Sequence, residues 1–320
     1  MDNIENLTLG QVLENSAAES PDKVAVVDGK RRITYAELNA TVDALATGLA
    51  GLGFEKGDRV AIYMKNALEL VTAFYALQKI GVVVVWINAL YRVHEAEFIL
   101  ENSEAKGLFI FNQWDDYDYL AEIQKIKSKL PRLEHIMVVG DSQGADVTDY
   151  DRLIDGNRGK ALPIVSIDSQ KDLCMLLYTS GTTGRPKGAM IRHYAAVRAG
   201  REYALGTGAT ADDIFIGILP MSHSYGCGSV LVQPIILQAR LVLMDKFDVE
   251  GALQIIEREK ITLQMGAPPH YILELNHKSR PNYDLCSLRA GLIAGMIAPE
   301  GLITRVEKEM GVYLTSFWGA

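Results

Sequence analysis

Cysteine is scarce in this chain. Cys174, Cys227 and Cys286 are the whole complement, odd in number and far apart. None sits in a C-x-x-C pair, which argues against a disulfide framework or a cysteine-based zinc site. Long apolar runs are also missing. The longest purely aliphatic stretch, Val82 to Val85, is far too short to cross a bilayer. The opening residues Met1-Asp2-Asn3-Ile4-Glu5-Asn6 are acidic and polar, without the apolar centre of a secretory signal. Basic charge is in deficit, with 32 Lys and Arg against 40 Asp and Glu and a net charge of −8. A nucleic-acid partner would favour a basic face, and the one short basic run, Lys30-Arg31-Arg32, reads as a solvated hairpin. There is no low-complexity tract. These absences together lead us to expect a soluble, cytoplasmic protein in a reducing setting.

What is present is apolar residue in quantity: 48% of 320 residues are hydrophobic. A chain of that length is long for one core, so two packed units are expected. Helical spacing marks residues 8–19. Strands are expected at 24–27 and 32–34 around the turn Asp28-Gly29-Lys30, and Thr34 with Glu37 reads as a capping box that opens a helix. Strands at 59–63, 82–87, 107–111 and 135–139 then alternate with helices at 67–79, 93–102 and 117–129. Residues 141–163 are polar and turn-rich and read as a surface excursion. A second alternation follows, with strands at 173–177, 213–218, 240–244, 262–265, 288–294 and 312–316. Strands apolar on both faces and separated by helices are the pattern of covered parallel sheets. The expected fold is α/β, with two doubly wound, mostly parallel sheets packed as layers. The first alternation covers about 55–165 and the second about 170–320, as two similar subdomains whose segments can interleave.

One stretch does not belong to a core. Tyr178 to Gly188 holds three glycines, four Ser or Thr hydroxyls and two cations within eleven residues. Glycines let backbone N–H groups approach a polyanion, hydroxyls donate to it, and Arg185 and Lys187 add charge. A strand lies ahead of the stretch and a helix is expected behind it, so the loop falls at a strand's carboxyl end, where α/β folds bind ligands. A P-loop is excluded: counting five from Gly181 reaches Pro186, and Lys187 is followed by Gly188. A nucleophile elbow is excluded because Tyr178 and Thr182 flank Ser180 where glycines are required. His94-Glu95 opens like a zinc helix, but position 98 is Phe.

Tyr178-Thr179-Ser180-Gly181-Thr182-Thr183-Gly184-Arg185-Pro186-Lys187-Gly188 resembles the phosphate-binding signature of the adenylate-forming superfamily. Other motifs agree in order: Thr34-Tyr35-Ala36-Glu37-Leu38, Ala76 to Gly81 followed by Ile87-Asn88, Pro220-Met221-Ser222-His223, and Arg289 to Gly295 with Pro299 in an acyl-CoA synthetase form. Trp318-Gly319-Ala320 resembles the start of an aromatic-Gly-x-Thr-Glu motif, with Trp where Tyr is usual. The similarity runs from about residue 8 to the last residue. It implies a chain that continues with Thr-Glu, a ribose-binding Asp, a hinge and a small C-terminal lid domain carrying a lysine. These 320 residues are accordingly expected to be the N-terminal portion of an enzyme and to form acyl-adenylate near background by themselves.

The resemblance implies ATP-dependent activation of a carboxylic acid to acyl-AMP, release of pyrophosphate, and transfer to coenzyme A, with Mg²⁺ as the metal. It assigns Thr179, Ser180, Gly181, Thr182, Thr183 and Gly184 to the phosphates, with Thr179 also toward Mg²⁺. Lys187 is an auxiliary cation. His223 is placed between acyl group and α-phosphate, with Tyr225 and Gly226 lining the acyl pocket. Gly295, Met296 and Ile297 face the adenine, as does Trp318, and Ala267-Pro268-Pro269 resembles a turn beside the acyl tunnel. His193 is expected to be structural. Residues 220–228 hold no acid, so a buried substrate ammonium would lack a counter-charge, at a cost on the order of several kcal/mol. A simple carboxylic acid is therefore favoured, and the apolar Gly295, Met296 and Ile297 suit a medium-chain, alicyclic or aromatic one. The alternatives are an amino-acid adenylation domain, a ligase feeding a carrier protein, or a module that only binds nucleotide or acyl groups.

Overall fold

The computed structural model describes residues 4–142, 144, 146–179 and 186–318. Its chain divides into two compact units. One comprises Met1–Ala18, Ala36–Lys65 and Glu69–Val197, the other Glu19–Tyr35, Asn66–Leu68 and Arg198–Ala320. Each unit is built on one sheet with seven strands among the described residues.

In the first unit the strand order is Lys187–Arg192, Leu173–Thr179, Val83–Trp86, Arg59–Tyr63, Gly107–Phe111, His135–Val139 and Thr148–Asp149. All pairings are parallel except the first, which is an antiparallel hairpin. Val83 to Trp86 are all buried, which is why that strand reads as an unbroken apolar run rather than an alternation. Helices Val93–Asn102 and Tyr119–Ile126 cover one face, where Ile99, Leu100, Leu120 and Ile123 pack on Val85, Leu108 and Ile110. The stretch 141–163 is more ordered than a surface excursion. It carries the short strand Thr148–Asp149 and a helix, Tyr150–Asp155, that buries Tyr150 and Ile154.

The largest departure from expectation lies just after the glycine-rich stretch. Residues Lys187–Arg192 form a strand paired with Leu173–Thr179, and the helix, expected at 193–205, follows it at His193–Thr207. The loop therefore closes a β-hairpin instead of linking strand to helix. Leu173–Thr179 has Val83–Trp86 on one side, so its other edge must find backbone partners, and the returning chain supplies them. The returning strand is the sheet's edge, mostly exposed and bounded by Lys187 and Arg192, a charge pattern that suits an edge. In consequence the hairpin belongs to the first sheet, although the sequence reads as if it opened the second alternation.

In the second unit the order is Tyr313–Ser316, Ala290–Ile293, Leu263–Gly266, Ile214–Gly217, Arg240–Leu243, Val24–Asp28 and Arg31–Thr34. Again only one pairing is antiparallel, the hairpin at Val24 to Thr34. That early hairpin completes a sheet whose other strands lie almost 200 residues downstream. Tyr35 seals it there, with its buried phenol donating to the carbonyls of Ala239 (2.7 Å) and Pro234 (3.2 Å). The basic run is not simply solvated: Arg32 pairs with the buried Glu259 at 2.6 Å.

Candidate functional site

Four neighbouring strands of the second sheet end at one edge. Register aligns Gly266 with Ile293 and Ile293 with Ser316, and Ile216 with Gln264. From Ile214–Gly217 the chain moves first to Arg240–Leu243 on one side, then to Leu263–Gly266 on the other. Connections that leave in opposite directions open a crevice at the strands' carboxyl ends. The expected substrate and adenine residues all follow those ends: His223, Tyr225 and Gly226 after Gly217, Ala267 to Pro269 after Gly266, Gly295 to Ile297 after Ile293, and Trp318 after Ser316. Arg289, by contrast, lies at the amino end of its strand. It pairs with Asp213 and donates to Gly208 O, so its role is to lock strand starts together.

The connection from Gly217 to Gly226 is held by a residue the sequence reading passed over. Asn66 is buried, and its amide donates to the carbonyls of Leu219 (2.8 Å) and Gly217 (3.1 Å) while its Oδ1 accepts from Met221 N–H (3.0 Å). It lies about 150 positions upstream, so no local pattern announces it. Beyond it the chain turns tightly. A Cβ on Gly226 would stand 2.1 Å from Pro220 O, so the backbone itself requires glycine there. A π-helix, Cys227–Val232, follows, a form often found beside functional sites.

His223 sits at this turn and is exposed. Its Nδ1 accepts from Tyr225 N–H at 3.2 Å, so the neutral ring carries its proton on Nε2. Partial loss of water around it holds its pKa below the ordinary histidine value, which keeps the ring neutral at physiological pH. Tyr225 is buried, and its phenol reaches the carbonyls of Leu292 (3.1 Å) and Gly266 (3.3 Å), tying the turn to two strand ends. Its ring lies 6.0 Å from that of Tyr203, which in turn packs at 4.8 Å on Phe317, next to Trp318. Gly295 adopts φ +88°, a conformation that favours glycine. Met296, Ile297 and Trp318 are 60%, 94% and 88% exposed, so none of the three is a core residue. On the turn after Gly266, Ala267 N–H donates to His270 Nδ1 at 2.9 Å.

In the first unit the mouth of the hairpin pairs Thr179 with Lys187, the two described ends of the glycine-rich loop. Directly opposed residues of an antiparallel pair put their side chains on one face, and here both are exposed. A hydroxyl and an ammonium side by side suit a phosphate. Below them Tyr178 donates to Asn102 Oδ1 at 2.7 Å, which anchors the strand end to a helix end. Ser180, Gly181, Thr182, Thr183 and Gly184 lie outside the described residues. His193, beyond the hairpin, is fully buried. Its Nδ1 accepts from Leu9 N–H, and burial pushes its pKa down to about 4, as suits a structural imidazole.

A model of the AMP-binding enzyme family matches residues 13–320. The chain belongs to that family. It is 31% identical to a long-chain-fatty-acid–CoA ligase of Bacillus subtilis over 98% of this chain and 60% of the relative. It is 30% identical to a medium-chain fatty-acid–CoA ligase of Escherichia coli over 98% of this chain and 55% of the relative. The crystal structure of the anthranilate CoA ligase AuaEII with anthranoyl-AMP superposes with a TM-score of 0.92 at 26% identity, covering 100% of this chain and 61% of that one. The chain thus spans about 60% of the length of the relatives it matches. No helix among the described residues is long and apolar enough to cross a membrane.

Proposed function

We propose that the protein is an AMP-forming acid–thiol ligase. A medium-chain, alicyclic or aromatic carboxylic acid attacks the α-phosphorus of ATP, giving acyl-AMP and pyrophosphate, and the acyl group then passes to coenzyme A as AMP leaves. The observation that carries this reading is His223 at the crevice of the second sheet, its Nδ1 accepting from Tyr225 N–H so that Nε2 faces outward as a donor, on a loop without any carboxylate from Pro220 to Gly228. A carboxylate substrate finds a hydrogen-bond donor there in the Nε2–H. An amino acid's ammonium finds no counter-charge.

No step needs a protein nucleophile, so the chain's residues act by positioning and charge neutralisation. Nε2–H of His223 holds the acid's carboxylate. Trp318, wholly outside the core, offers a face on which a purine stacks. Thr179 and Lys187 hold phosphate oxygens, and the hydroxyl of Thr179 is an oxygen ligand of the kind Mg²⁺ takes alongside phosphates. Bound Mg²⁺ would neutralise the charge that grows on the leaving pyrophosphate.

ATP–pyrophosphate exchange, run with a panel of fatty, alicyclic, aromatic and amino acids, tests the proposal. Exchange driven by simple carboxylic acids, and lowered in its acid dependence by His223→Ala, is expected. Exchange driven by amino acids alone would sink the ligase reading in favour of an amino-acid adenylation domain. Thioester formation with coenzyme A, but not with a carrier protein, is the expected second half-reaction.

A further inference from the structure

Among the described residues three carboxylates are buried: Asp213, Glu259 and Glu274. Asp213 has Arg289 and Glu259 has Arg32. Glu274 has no cation. Both of its oxygens lie on one partner, the Gln264 amide nitrogen, at 2.9 and 2.8 Å, while Gln264 Oε1, also buried, has no partner at all. Lys79 shows the partners this chain gives a buried cation. Its side chain, 1% exposed, brings Nζ to Asp43 (2.5 Å), Glu14 (3.1 Å) and Asn39 Oδ1 (2.7 Å).

An ionised carboxylate with one neutral donor in an apolar interior is costly, and so is an orphaned amide oxygen. One proton relieves both. A carboxylic acid facing a primary amide forms a two-bond ring, in which N–H donates to C=O and the acid O–H donates to the amide oxygen. The Gln264 amide reaches that arrangement by turning about its last torsion, which is a soft one.

We propose that Glu274 is a neutral acid in the folded chain, joined to Gln264 in such a ring, and that the ring is a positioning element for the turn after Gly266. Gln264 lies on the strand Leu263–Gly266, and Glu274 on the helix Pro268–Asn276. Between them runs the turn that carries Ala267 and His270. The protonation state stands on this geometry, whereas its bearing on acid binding rests on the crevice reading proposed above.

The charged groups of the neighbouring elements are engaged elsewhere or exposed. On the helix Val249–Glu259, Glu250 accepts from Tyr283, Glu257 from Asp284 N–H, and Arg258 pairs with Glu259. On Leu302–Met310, Arg305 pairs with Glu309, and Glu307 and Lys308 are exposed. Arg280 also pairs with Glu309. On its own helix the buried phenol of Tyr271 donates to Gln264 O and Leu292 O and stays neutral, and His270, whose pKa burial lowers, accepts from Ala267 N–H. Burial accordingly raises the Glu274 pKa from 4.5 to about 8.

The sign of the pH effect follows. Between about pH 4.5 and about pH 8 the unfolded carboxyl is ionised while the folded one keeps its proton, so stability falls as pH rises through that window and is level above it. Glu274→Gln preserves the ring and removes the titration. The melting temperature of Glu274→Gln minus that of wild type should grow across this window by at least about 3 °C and then level off. The double variant Gln264→Leu, Glu274→Leu, which replaces both polar partners, should show the same rise. The infrared spectrum of the wild type at pH 7 should contain a protonated carboxyl C=O band that Glu274→Gln lacks. A pH-independent offset in melting temperature, or no such band, overturns the neutral acid, and neither measurement depends on catalysis. In the active enzyme the KM for the carboxylic acid should rise above about pH 8 in wild type but not in Glu274→Gln. Parallel KM profiles would overturn the positioning role.

Discussion

The hairpin mouth of the first unit and the crevice of the second both serve as candidate binding regions, and they are made in opposite ways. At the mouth, everything of interest lies within eleven consecutive residues, and Thr179 faces Lys187 because a short chain returns on itself. At the crevice, residues from Asn66 to Trp318 converge because four parallel strands end at one edge. A region of the first kind is set by local chemistry and sits exposed on an edge. One of the second kind depends on core packing, so its function and its stability are coupled. The contrast can be attacked by mutation from either side.

The largest effect is expected from Gly226→Ala. The new Cβ would collide with the Pro220 carbonyl, and the backbone on both sides is fixed. A loss of about 3 kcal/mol in urea unfolding, together with near-complete loss of acid-dependent pyrophosphate exchange, should follow. A variant of wild-type stability would mean that the Pro220–Gly226 turn is not rigid.

Asn66→Ala comes next. It strands the buried carbonyl of Leu219 and the N–H of Met221, at a cost of about 2 kcal/mol. Because the loop it releases carries His223, the KM for the acid should rise more than the KM for ATP. Equal changes in both would show that the crevice is not built around this clamp.

The smallest effect on stability is expected at the mouth. Thr179→Ala with Lys187→Ala removes two exposed side chains and should leave unfolding within about 0.5 kcal/mol of wild type. ATP affinity should nevertheless fall about tenfold or more, because hydrogen bonds to charged groups are worth about 1.5–3 kcal/mol each. Calorimetric titration with ATP measures it, and unchanged affinity would remove both residues from the phosphate site.

The same contrast explains what could be read in advance. The glycine-rich stretch, the alternation of strands and helices, and the motif around His223 were visible because each is encoded by neighbours in sequence. The strand at Lys187–Arg192 was not, since K-G-A-M-I-R has no strong period and becomes a strand only because Leu173–Thr179 has a free edge. Nor was the clamp at Asn66, whose partners lie some 150 residues away. Gly226 could be marked as part of the acyl pocket, but not the carbonyl six residues earlier that leaves no space for a Cβ there.

Sequence alone therefore determined the α/β class, the make-up of the glycine-rich stretch and the absence of acid beside His223, because those are properties of residue type and local spacing. Tertiary structure decided three things. It put the glycine-rich hairpin on the first sheet, gathered the crevice from four strand ends, and placed Glu274 where Gln264 is its hydrogen-bond partner among the described residues. Each depends on which backbone edges and polar atoms remain unsatisfied once the chain has packed, and no stretch of sequence carries that information by itself.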